Sequence, residues 1–483
     1  MEKIRRKLIW IIILVIIIFT YFFLTSMIGN SSNKLIYSFK LLIPEEIKNV
    51  IKNNLFSKQM LKENKLKLKK IEDDYKDLQK KFSNLPNSLG KIDFEKEDPK
   101  IKIKIGNKNL SILKYNTKII NIAKFPLAKA STYIDFHQGN NSDNILLVTG
   151  NGIISYFNLQ ELNSESFNAK VINNNIKEII HYDQFYIDSK MGVKDVLIKN
   201  NKLFISLTFE KAPDCFTTAI IYADINYNFL NFEKFFVPST CVNTENSYGE
   251  FNAHHSGGRI VGIDNQNIFF SIGEYRFRDL AQNLEDHHGK ILKINLKNKN
   301  TEIVSIGHRN VQGMFFEKKS NTLYMTEHGP NGGDEINSNE FLIKTPNYGW
   351  PISSYGEHYG SEEDYNFKEK YLKAPLYKSH EKYNFIEPLT HFTPSIGISE
   401  LLYISKDFLY STNSYLLVTS MGKKNTPGSL GIHIYEITKQ NRLSNHVFYN
   451  LNDRIRDALI LDSKKIILLW GESEGTLYVF RMD

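Results

Sequence analysis

The chain has 483 residues, a formal net charge of +8 and 41% hydrophobic residues. That length allows one large domain with attachments, and the ordinary balance of hydrophobic and charged residues argues against a largely disordered chain. Many of the lysines lie near the N-terminus, so the positive charge is regional and does not indicate a nucleic-acid-binding protein.

The N-terminus carries a long apolar segment. Residues 1–7 include four basic side chains, and the 21 residues from 8 to 28 contain no charge. Such a run is roughly 30 Å long as a helix, which matches the hydrocarbon core of a bilayer. We therefore expect a single-pass anchor in the inner (cytoplasmic) membrane, with residues 1–7 in the cytoplasm and the rest on the periplasmic, extracytoplasmic side. The alternative is a cleaved signal peptide, whose apolar region is typically shorter and ends in small residues.

Residues 29–98 are predicted to form a helical stalk or linker. Pro44 and two following acids are typical of a helix start. Further on, apolar side chains recur at alternating steps of three and four, at Leu61, Leu68, Ile71, Tyr75, Leu78 and Phe82. This pattern indicates about three heptads, which is short for a coiled coil. Two interpretations stay open: a stalk through which copies of the chain associate, and a helix that packs on its own domain.

Residues 99–483 are predicted to form an all-β domain. Short runs such as "NILLVTG", "NKLFISLTF" and "KIILLWG" are rich in β-branched and aromatic residues and are separated by Gly, Asn and Asp turns. Many of the runs adjoin in pairs, as hairpins do. At about 60–65 residues per four-stranded unit, the length predicts a six-bladed β-propeller, although no WD or kelch repeat is visible.

The chain contains two cysteines, Cys215 and Cys241, and both lie beyond the apolar segment. They flank two strand-like runs around the turn "NYN", so they would lie at the base of a hairpin. In an oxidising compartment such a pair can form a disulfide. Two unpaired buried thiols are the alternative.

The histidines are concentrated in one part of the chain. Six of the thirteen fall in one window, at His254, His255, His287, His288, His308 and His328. A zinc site is conceivable there, but the window contains neither an H-E-x-x-H motif nor a cysteine. More informative are polar clusters beside strand-like runs: "AHHSGGRI", "GHRNVQG", "EHGPNGGDEIN" and "RIRD". A propeller gathers such loops at the mouth of its central channel, and several arginines there suit a multiply anionic ligand.

The order of "HHSGGRI", "GHRNVQG", "EHGPNGGDEIN", "NYGWP", "FTPSIGIS" and "RIRD" resembles the soluble quinoprotein glucose/sorbosone dehydrogenases, including the aldose sugar dehydrogenases. The resemblance runs from about residue 120 to the C-terminus. Members of that family are six-bladed propellers that use pyrroloquinoline quinone (PQQ) with Ca²⁺. The resemblance implies oxidation of the C1 hydroxyl of an aldose, or of a related polyol, to a lactone. An external electron acceptor, which the sequence does not identify, would re-oxidise the cofactor.

The resemblance also implies roles for particular residues. His255 matches the catalytic base that takes the hydroxyl proton, with His254 as the weaker candidate. Arg309 would stabilise negative charge on the quinone oxygen, and the carbonyls of Gly329 and Pro330 would bind Ca²⁺. The cofactor-binding candidates are Asn310, Lys423, Arg454 and Arg456, with Lys424 as a rival for Lys423.

Two residues depart from the family pattern. Lys190, in "KMGVKDV", stands where the family has a glutamine that lines the active site. We include Lys190 among the cofactor-binding candidates, because its cation could pair with a cofactor carboxylate, but it could equally signal lost activity. His328 stands where members often have a glutamine.

Two other functions stay open from the sequence. A propeller that has lost catalysis could bind an envelope glycan or a protein partner, and Lys190 favours that alternative. A calcium-dependent lactonase is the other, since a fold does not fix a function. It would need acidic and amide side chains around the metal, and the sequence shows no such set beyond the Gly329–Pro330 corner.

Overall fold

The structure, a computed structural model, describes residues 65–67, 69–70, 90–99, 101–117, 131–139, 142–180, 192–360 and 369–482. The chain divides into two compact units, Met1–Leu85 and Pro86–Asp483. In the first unit, residues 65–67 and 69–70 are helical. The predicted anchor at 8–28 lies outside the described residues, and no helix among the described ones is both long and apolar enough to cross a membrane.

The described part of the second unit begins with three strands, which come before the other strands in sequence. They are β1 (Lys91–Glu97), β2 (Ile103–Ile105) and β3 (Lys108–Thr117). β1 hydrogen-bonds to β3, and β2 also pairs with β3. The domain boundary predicted near residue 98 therefore falls after the first strand of this unit and not before it.

The rest of the described second unit consists of successive antiparallel sheets. Sheet 1 contains β4 (Thr132–Gln138), β5 (Asp143–Thr149), β6 (Ile154–Asn158) and β7 (Ser166–Asn174). Sheet 2 contains β8 (Val193–Lys199), β9 (Lys202–Ala212), β10 (Cys215–Asp224) and β12 (Glu233–Phe236). Two short strands, β11 (Phe229–Leu230) and β13 (Val242–Asn243), pair with β7 and β10. Sheet 3 contains β14 (Gly257–Gly262), β15 (Asn267–Ile272), β16 (Lys290–Asn295) and β17 (Thr301–Ile306).

The later sheets follow the same plan. Sheet 4 contains β18 (Val311–Glu317), β19 (Thr322–Glu327), β20 (Asp334–Asn339) and β21 (Thr390–Phe392). Sheet 5 contains β22 (Ile398–Ile404), β23 (Ser414–Ser420), β24 (Gly431–Ile437) and β25 (Leu443–Asn450). Sheet 6 contains β26 (Ile455–Leu461), β27 (Ile466–Gly471) and β28 (Thr476–Met482), and β3 completes it. Through β1, which pairs with β3 and β7, sheets 6 and 1 form one continuous 11-stranded sheet.

The first strands of the sheets form a closed ring. In order they are β4, β8, β14, β18, β22 and β26; each contacts the next, and β26 contacts β4. Because β3 from the start of the unit pairs with β28 from its end, hydrogen bonds between distant parts of the chain close the circle. This all-β arrangement of four-stranded sheets is consistent with the predicted six-bladed β-propeller.

Hydrophobic side chains pack between neighbouring sheets, as the alternating in-out pattern of strands requires. Sheets 2 and 3, for example, share a cluster that includes Phe204, Ile220, Phe270 and Leu292. Where β1 joins sheets 6 and 1, Phe94 stacks on Phe167 with ring centroids 4.7 Å apart. Burial of each such side chain stabilises the fold by about 1.5–3 kcal/mol.

In the described part of the second unit, helices are short and lie between the strands. The α-helical turns are α1 (Ile176–Ile179), α2 (Glu369–Leu372) and α3 (Lys406–Leu409). Tighter 3₁₀ turns span Leu159–Asn163, Ala253–His255, Arg278–Gln282, Glu381–Tyr383 and Asp462–Lys464.

The predicted disulfide is present. Cys215, the first residue of β10, is bonded to Cys241, and their Cα atoms are 5.4 Å apart. β10 also pairs with β12, as a hairpin above this bond would require. The structure therefore confirms the disulfide and excludes the alternative of two free thiols.

Candidate active site

A cavity of about 610 Å³ lies where the inner strands meet, and its volume is in the range of small-molecule sites. Eight of the nine predicted site residues line it: His255, Arg309, Asn310, Gly329, Pro330, Lys423, Arg454 and Arg456. The ninth, Lys190, lies outside the described residues. Lys424, the rival of Lys423, does not line the cavity. Residues from the four quoted polar motifs, together with Lys423, thus line one cavity.

His255 is held on the cavity wall by contacts on both ring nitrogens. Its Nδ1 lies 2.8 Å from Oε1 of Glu274, and its Nε2 lies 3.3 Å from Nη2 of Arg309. Burial, reinforced by the charge of Arg309, lowers the pKa of His255 well below its ordinary value. The ring is therefore neutral near pH 7, and a neutral imidazole can accept a proton.

The backbone around His255 depends on a close approach between two strands. The carbonyl of His255 accepts a hydrogen bond from the backbone of Tyr275 at 3.1 Å. A Cβ on Gly273 would overlap that carbonyl, so only glycine allows this packing. The neighbouring His254 also lines the cavity, but its side chain is exposed and lacks the buried setting of His255.

Glu274 is a site residue that the sequence did not single out. It is fully buried, and its Oε1 also accepts a hydrogen bond from the backbone of Arg276 at 3.0 Å. Burial raises the pKa of Glu274, while the charge of Arg309 opposes that rise. Through its bond to Nδ1, Glu274 orients the ring of His255. The sequence feature that could have identified Glu274 as a site residue is its position just after β15, which ends at Ile272.

Glu327 fixes the backbone of the predicted "GHRN" motif. Its carboxylate accepts hydrogen bonds from the backbone nitrogens of Arg309 and Asn310, the second at 3.2 Å. Its other oxygen lies 2.9 Å from Nδ1 of His308, whose Nε2 is 2.7 Å from Oγ of Ser305. The buried histidine and serine therefore serve the loop's structure, and Arg309 and Asn310 are presented to the cavity from a rigid base.

Arg309 occupies the centre of the site. Its Nη1 donates to the carbonyl oxygens of His328 at 3.0 Å and Gly329 at 2.6 Å. Its guanidinium lies 5.3 Å from the ring centroid of the buried Trp350, within the range of a cation–π interaction. Trp350 is buried beside Arg309, and Tyr348 is buried as well, stacked on His308.

The side-chain amide of Asn310 is hydrogen-bonded within the protein through its oxygen. Its Oδ1 accepts hydrogen bonds from the backbone of Gly257 and from Nε2 of Gln312, each at 3.0 Å. Among the described residues, its Nδ2 has no hydrogen-bond partner. That nitrogen is the atom that Asn310 can offer to a ligand.

Arg454 and Arg456 share one acid, Glu472. The Nε atoms of the two arginines lie 2.6 and 2.7 Å from its two carboxylate oxygens. Ser131 also donates to Glu472, at 2.7 Å. Although burial alone would raise the pKa of Glu472, the charges of Arg456 and Arg454 lower it far below the ordinary value. Two cations thus face one anion, and this wall keeps a net positive charge.

Arg259 ties the ring of strands together next to the cavity. Its Nη1 lies 3.0 Å from Asp195, 2.6 Å from Glu400 and 2.7 Å from Asp457. Those acids come from β8, β22 and β26, so one guanidinium from β14 links four sheets. Asp457, which lies in the same "RIRD" segment as Arg454 and Arg456, pairs with Arg259.

The Gly329–Pro330 corner lines the cavity through a tight turn. A Cβ on Gly329 would overlap the carbonyl oxygen of Gly333, and the Gly329 nitrogen donates to Asp334 at 3.1 Å. Within the described part of the chain, no group of three or more His, Cys, Asp or Glu side chains could hold a metal ion. The histidine window therefore shows no zinc site there. A cation at this corner would depend on backbone oxygens.

The part of the chain that forms most of this cavity matches a known protein family. A model of the glucose/sorbosone dehydrogenases matches residues 167–479, more than half of the chain. The chain belongs to the glucose/sorbosone dehydrogenase family. The resemblance seen in the sequence motifs is thereby confirmed, and this family member has a histidine–arginine pair on the wall of a cationic cavity.

A curated relative and two solved structures are similar to this family member. The aldose sugar dehydrogenase YliI of Escherichia coli (strain K12) is 27% identical over 237 residues, which are 46% of this chain and 59% of that protein. The match thus spans little more than half the length of this curated relative.

The solved structures agree on the fold. The soluble aldose sugar dehydrogenase from Escherichia coli, in its apo-form, has a TM-score of 0.56 at 20% identity and covers 77% of this chain and 100% of that chain. The PQQ-bound aldose sugar dehydrogenase from Streptomyces coelicolor has a TM-score of 0.50 at 13% identity and covers 80% and 100%. At these identities the likeness shows a shared fold.

Proposed function

We propose that the chain is a quinoprotein oxidoreductase that oxidises the C1 hydroxyl of aldose sugars, or of related polyols, to lactones, with PQQ and Ca²⁺ as cofactors. The observation that carries the proposal is the neutral His255, oriented by Glu274 and placed beside Arg309 on the wall of the cavity. Family membership and the aldose sugar dehydrogenases among the relatives support the reaction class.

The cationic wall suits PQQ, which carries three carboxylates. Arg454 and Arg456 bond to Glu472 through Nε, and neither Nη nitrogen of Arg456 has a partner within the described residues. Guanidinium nitrogens arranged in this way can bind carboxylates in a fork. Lys423, exposed at the cavity edge, adds a further cation. We infer that these three residues hold the cofactor's carboxylates.

In the part of the cavity where the sugar would react, one residue transfers the proton and another stabilises negative charge. When bound, PQQ supplies a two-electron acceptor for the hydride of the sugar C1. Nε2 of neutral His255 accepts the proton of the C1 hydroxyl, and Glu274 stabilises the imidazolium that results through Nδ1. Arg309 offers guanidinium hydrogens toward negative charge that develops in the cavity, and its bonds to the carbonyls of His328 and Gly329 fix its position.

Ca²⁺ belongs to the same proposal. The Gly329 carbonyl accepts a hydrogen bond from Arg309, so Ca²⁺ would share this oxygen with the guanidinium, and the anionic cofactor would offset the repulsion between the two cations. Backbone carbonyls are oxygen ligands of the kind Ca²⁺ prefers, and the ion takes six to eight of them. The Gly329–Pro330 corner would therefore hold Ca²⁺ together with oxygen atoms of the bound anion and water.

We also propose that residues 8–28 anchor the protein in the inner membrane, with the second unit on the periplasmic side. The uncharged run behind four basic residues supports this orientation, and the Cys215–Cys241 disulfide fits an oxidising compartment. An uncleaved anchor predicts that the mature protein begins near Met1 by terminal sequencing. The heptads of the stalk would pair copies of the chain, which cross-linking of the full-length protein tests.

The test of the catalytic proposal is a titration of the purified full-length chain with PQQ and Ca²⁺, followed by a panel of aldoses. We expect saturable, Ca²⁺-dependent binding and then bleaching of the quinone absorbance by at least one sugar. Binding without reduction by any aldose or polyol would contradict the substrate class. Absence of binding would contradict the quinoprotein function and favour a propeller that binds a glycan or a protein.

A further inference from the structure

Lys194 lies in the segment "KMGVKDV" but is not among the predicted site residues. It is the second residue of β8 and lines the cavity beside Val193. Its stem crosses the neighbouring strand β14 at Gly258, where a Cβ would overlap the Cβ of Lys194 and lie 3.0 Å from its Cγ. Gly258 has a φ of +109°, a conformation that other residues rarely adopt. The glycine therefore leaves the room through which the lysine reaches the cavity.

The ammonium group of Lys194 has no counterion within the described residues. The adjacent acid, Asp195, points to the opposite face of the strand and is bound by Arg259 and by the backbone of Ile260. Glu472, the acid that lines the cavity, is engaged by both arginines and by Ser131.

Apart from Glu472, which is already paired, the groups that face this part of the cavity from the packed elements are cationic or neutral. The titratable and charged residues that line the cavity besides Lys194 are Tyr133, His254, His255, Arg309, His328, Tyr359, Lys423, Arg454, Arg456 and Glu472. Burial, with the charge of Arg456, lowers the pKa of Lys194 to about 7. Burial also raises the pKa of Tyr133 to about 12, so that phenol stays neutral. An anion that enters the cavity from outside would therefore stabilise the charged form of Lys194.

We propose that Lys194 binds an anionic oxygen of the cofactor alongside Arg456, and that it takes up a proton when the cofactor enters. The inference rests on the proposed function, because the ligand with several carboxylates is PQQ. An anion beside the ammonium favours its charged form and so raises its pKa in the complex. Binding is therefore strongest below pH 7 and weakens as the pH rises above 7 toward the pKa of the complex.

The experiment is calorimetric titration of PQQ into the full-length protein with Ca²⁺, in Tris and in Hepes, at pH 7 and pH 8. The difference in heat between the two buffers gives the number of protons taken up. The wild type should take up about half a proton more than Lys194→Met at pH 7, and nearly one more at pH 8. Lys194→Met should also bind PQQ roughly tenfold to a hundredfold more weakly, the loss expected for one charge-assisted bond.

Two further variants separate this role from a structural one. Lys194→Arg keeps the cation at all pH values, so it should retain affinity and lose the proton uptake. Lys199→Met changes a lysine of the same strand that does not line the cavity, and it should behave as the wild type. Equal proton uptake and equal affinity in wild type and Lys194→Met would overturn the inference and leave the quinoprotein function standing. A wild type that does not bind PQQ at all would overturn both.

Discussion

Nη1 of Arg259 lies 2.7 Å from Oδ1 of Asp457, although β14 and β26 are separated by two other inner strands in either direction around the ring. The pair crosses the centre of the fold, 198 residues apart in the chain. Asp195 and Glu400 contact the same nitrogen, so one buried cation contacts three acids. The same guanidinium also contacts a cavity residue, because Nη2 of Arg259 donates to the backbone carbonyl of Arg456. Arg259 therefore both links the sheets and holds part of the cavity wall.

Replacement of Arg259 by methionine should destabilise the protein by about 3–5 kcal/mol, because it leaves buried carboxylates without their cation. Urea unfolding of the purified protein measures the loss. Arg259→Lys keeps the charge but not the several bonds of the guanidinium, and we expect an intermediate loss. Unfolding of Arg259→Met at the wild-type urea concentration would show that the acids find other partners or protons.

His255→Ala should lower kcat by roughly 10²–10⁴-fold, the usual contribution of a positioned base, while PQQ still binds. His254→Ala is the matched control, because its side chain is exposed at the same cavity and lacks the Glu274 contact. Steady-state rates with an aldose and the quinone absorbance measure the two effects separately. If His254→Ala loses more activity than His255→Ala, the assignment of the base is wrong.

The pH profile should show no acid limb near the ordinary pKa of histidine. Burial lowers the pKa of His255 well below 6.5, so the base stays unprotonated as the pH falls through 6.5. Loss of kcat with falling pH should therefore begin clearly below that value. The measurement is kcat against pH at saturating PQQ, which separates this effect from any pH dependence of cofactor binding. An inflection at or above pH 6.5 would speak against a buried, neutral His255.

Removal of the disulfide should weaken the fold without touching the cavity. The bond joins residues 26 apart in sequence, and closing a loop of that size stabilises a protein by about 3 kcal/mol in the chain-entropy model. Neither Cys215 nor Cys241 lines the cavity. The double replacement by serine should therefore lower the free energy of unfolding by about 2–4 kcal/mol and leave PQQ affinity unchanged. A large loss of affinity with normal stability would show that the hairpin positions the site.

The sequence determined the character of the second unit and most of its candidate site. Short β-branched and aromatic runs predicted an all-β chain, because strand preference is written locally in residue type and spacing. The motifs around His255, Arg309, Gly329 and Arg456 identified side chains that the structure brings to one cavity. Two cysteines at the base of one hairpin made a disulfide possible, and the structure decided between the bond and two free thiols.

Other features were decided by tertiary structure. β1 belongs to the sheets although residues 91–97 were assigned to the stalk, because its partners β3 and β7 lie elsewhere in the chain. Glu274, Lys194 and the partners of Arg259 are ordinary residues in the sequence. Each acquires its role when strands from distant segments converge on the axis, where burial strengthens charge interactions and shifts pKa values. The sequence shows which side chains the chain carries and how they are spaced. The packing of the sheets into a ring determines which of those side chains meet in a buried site.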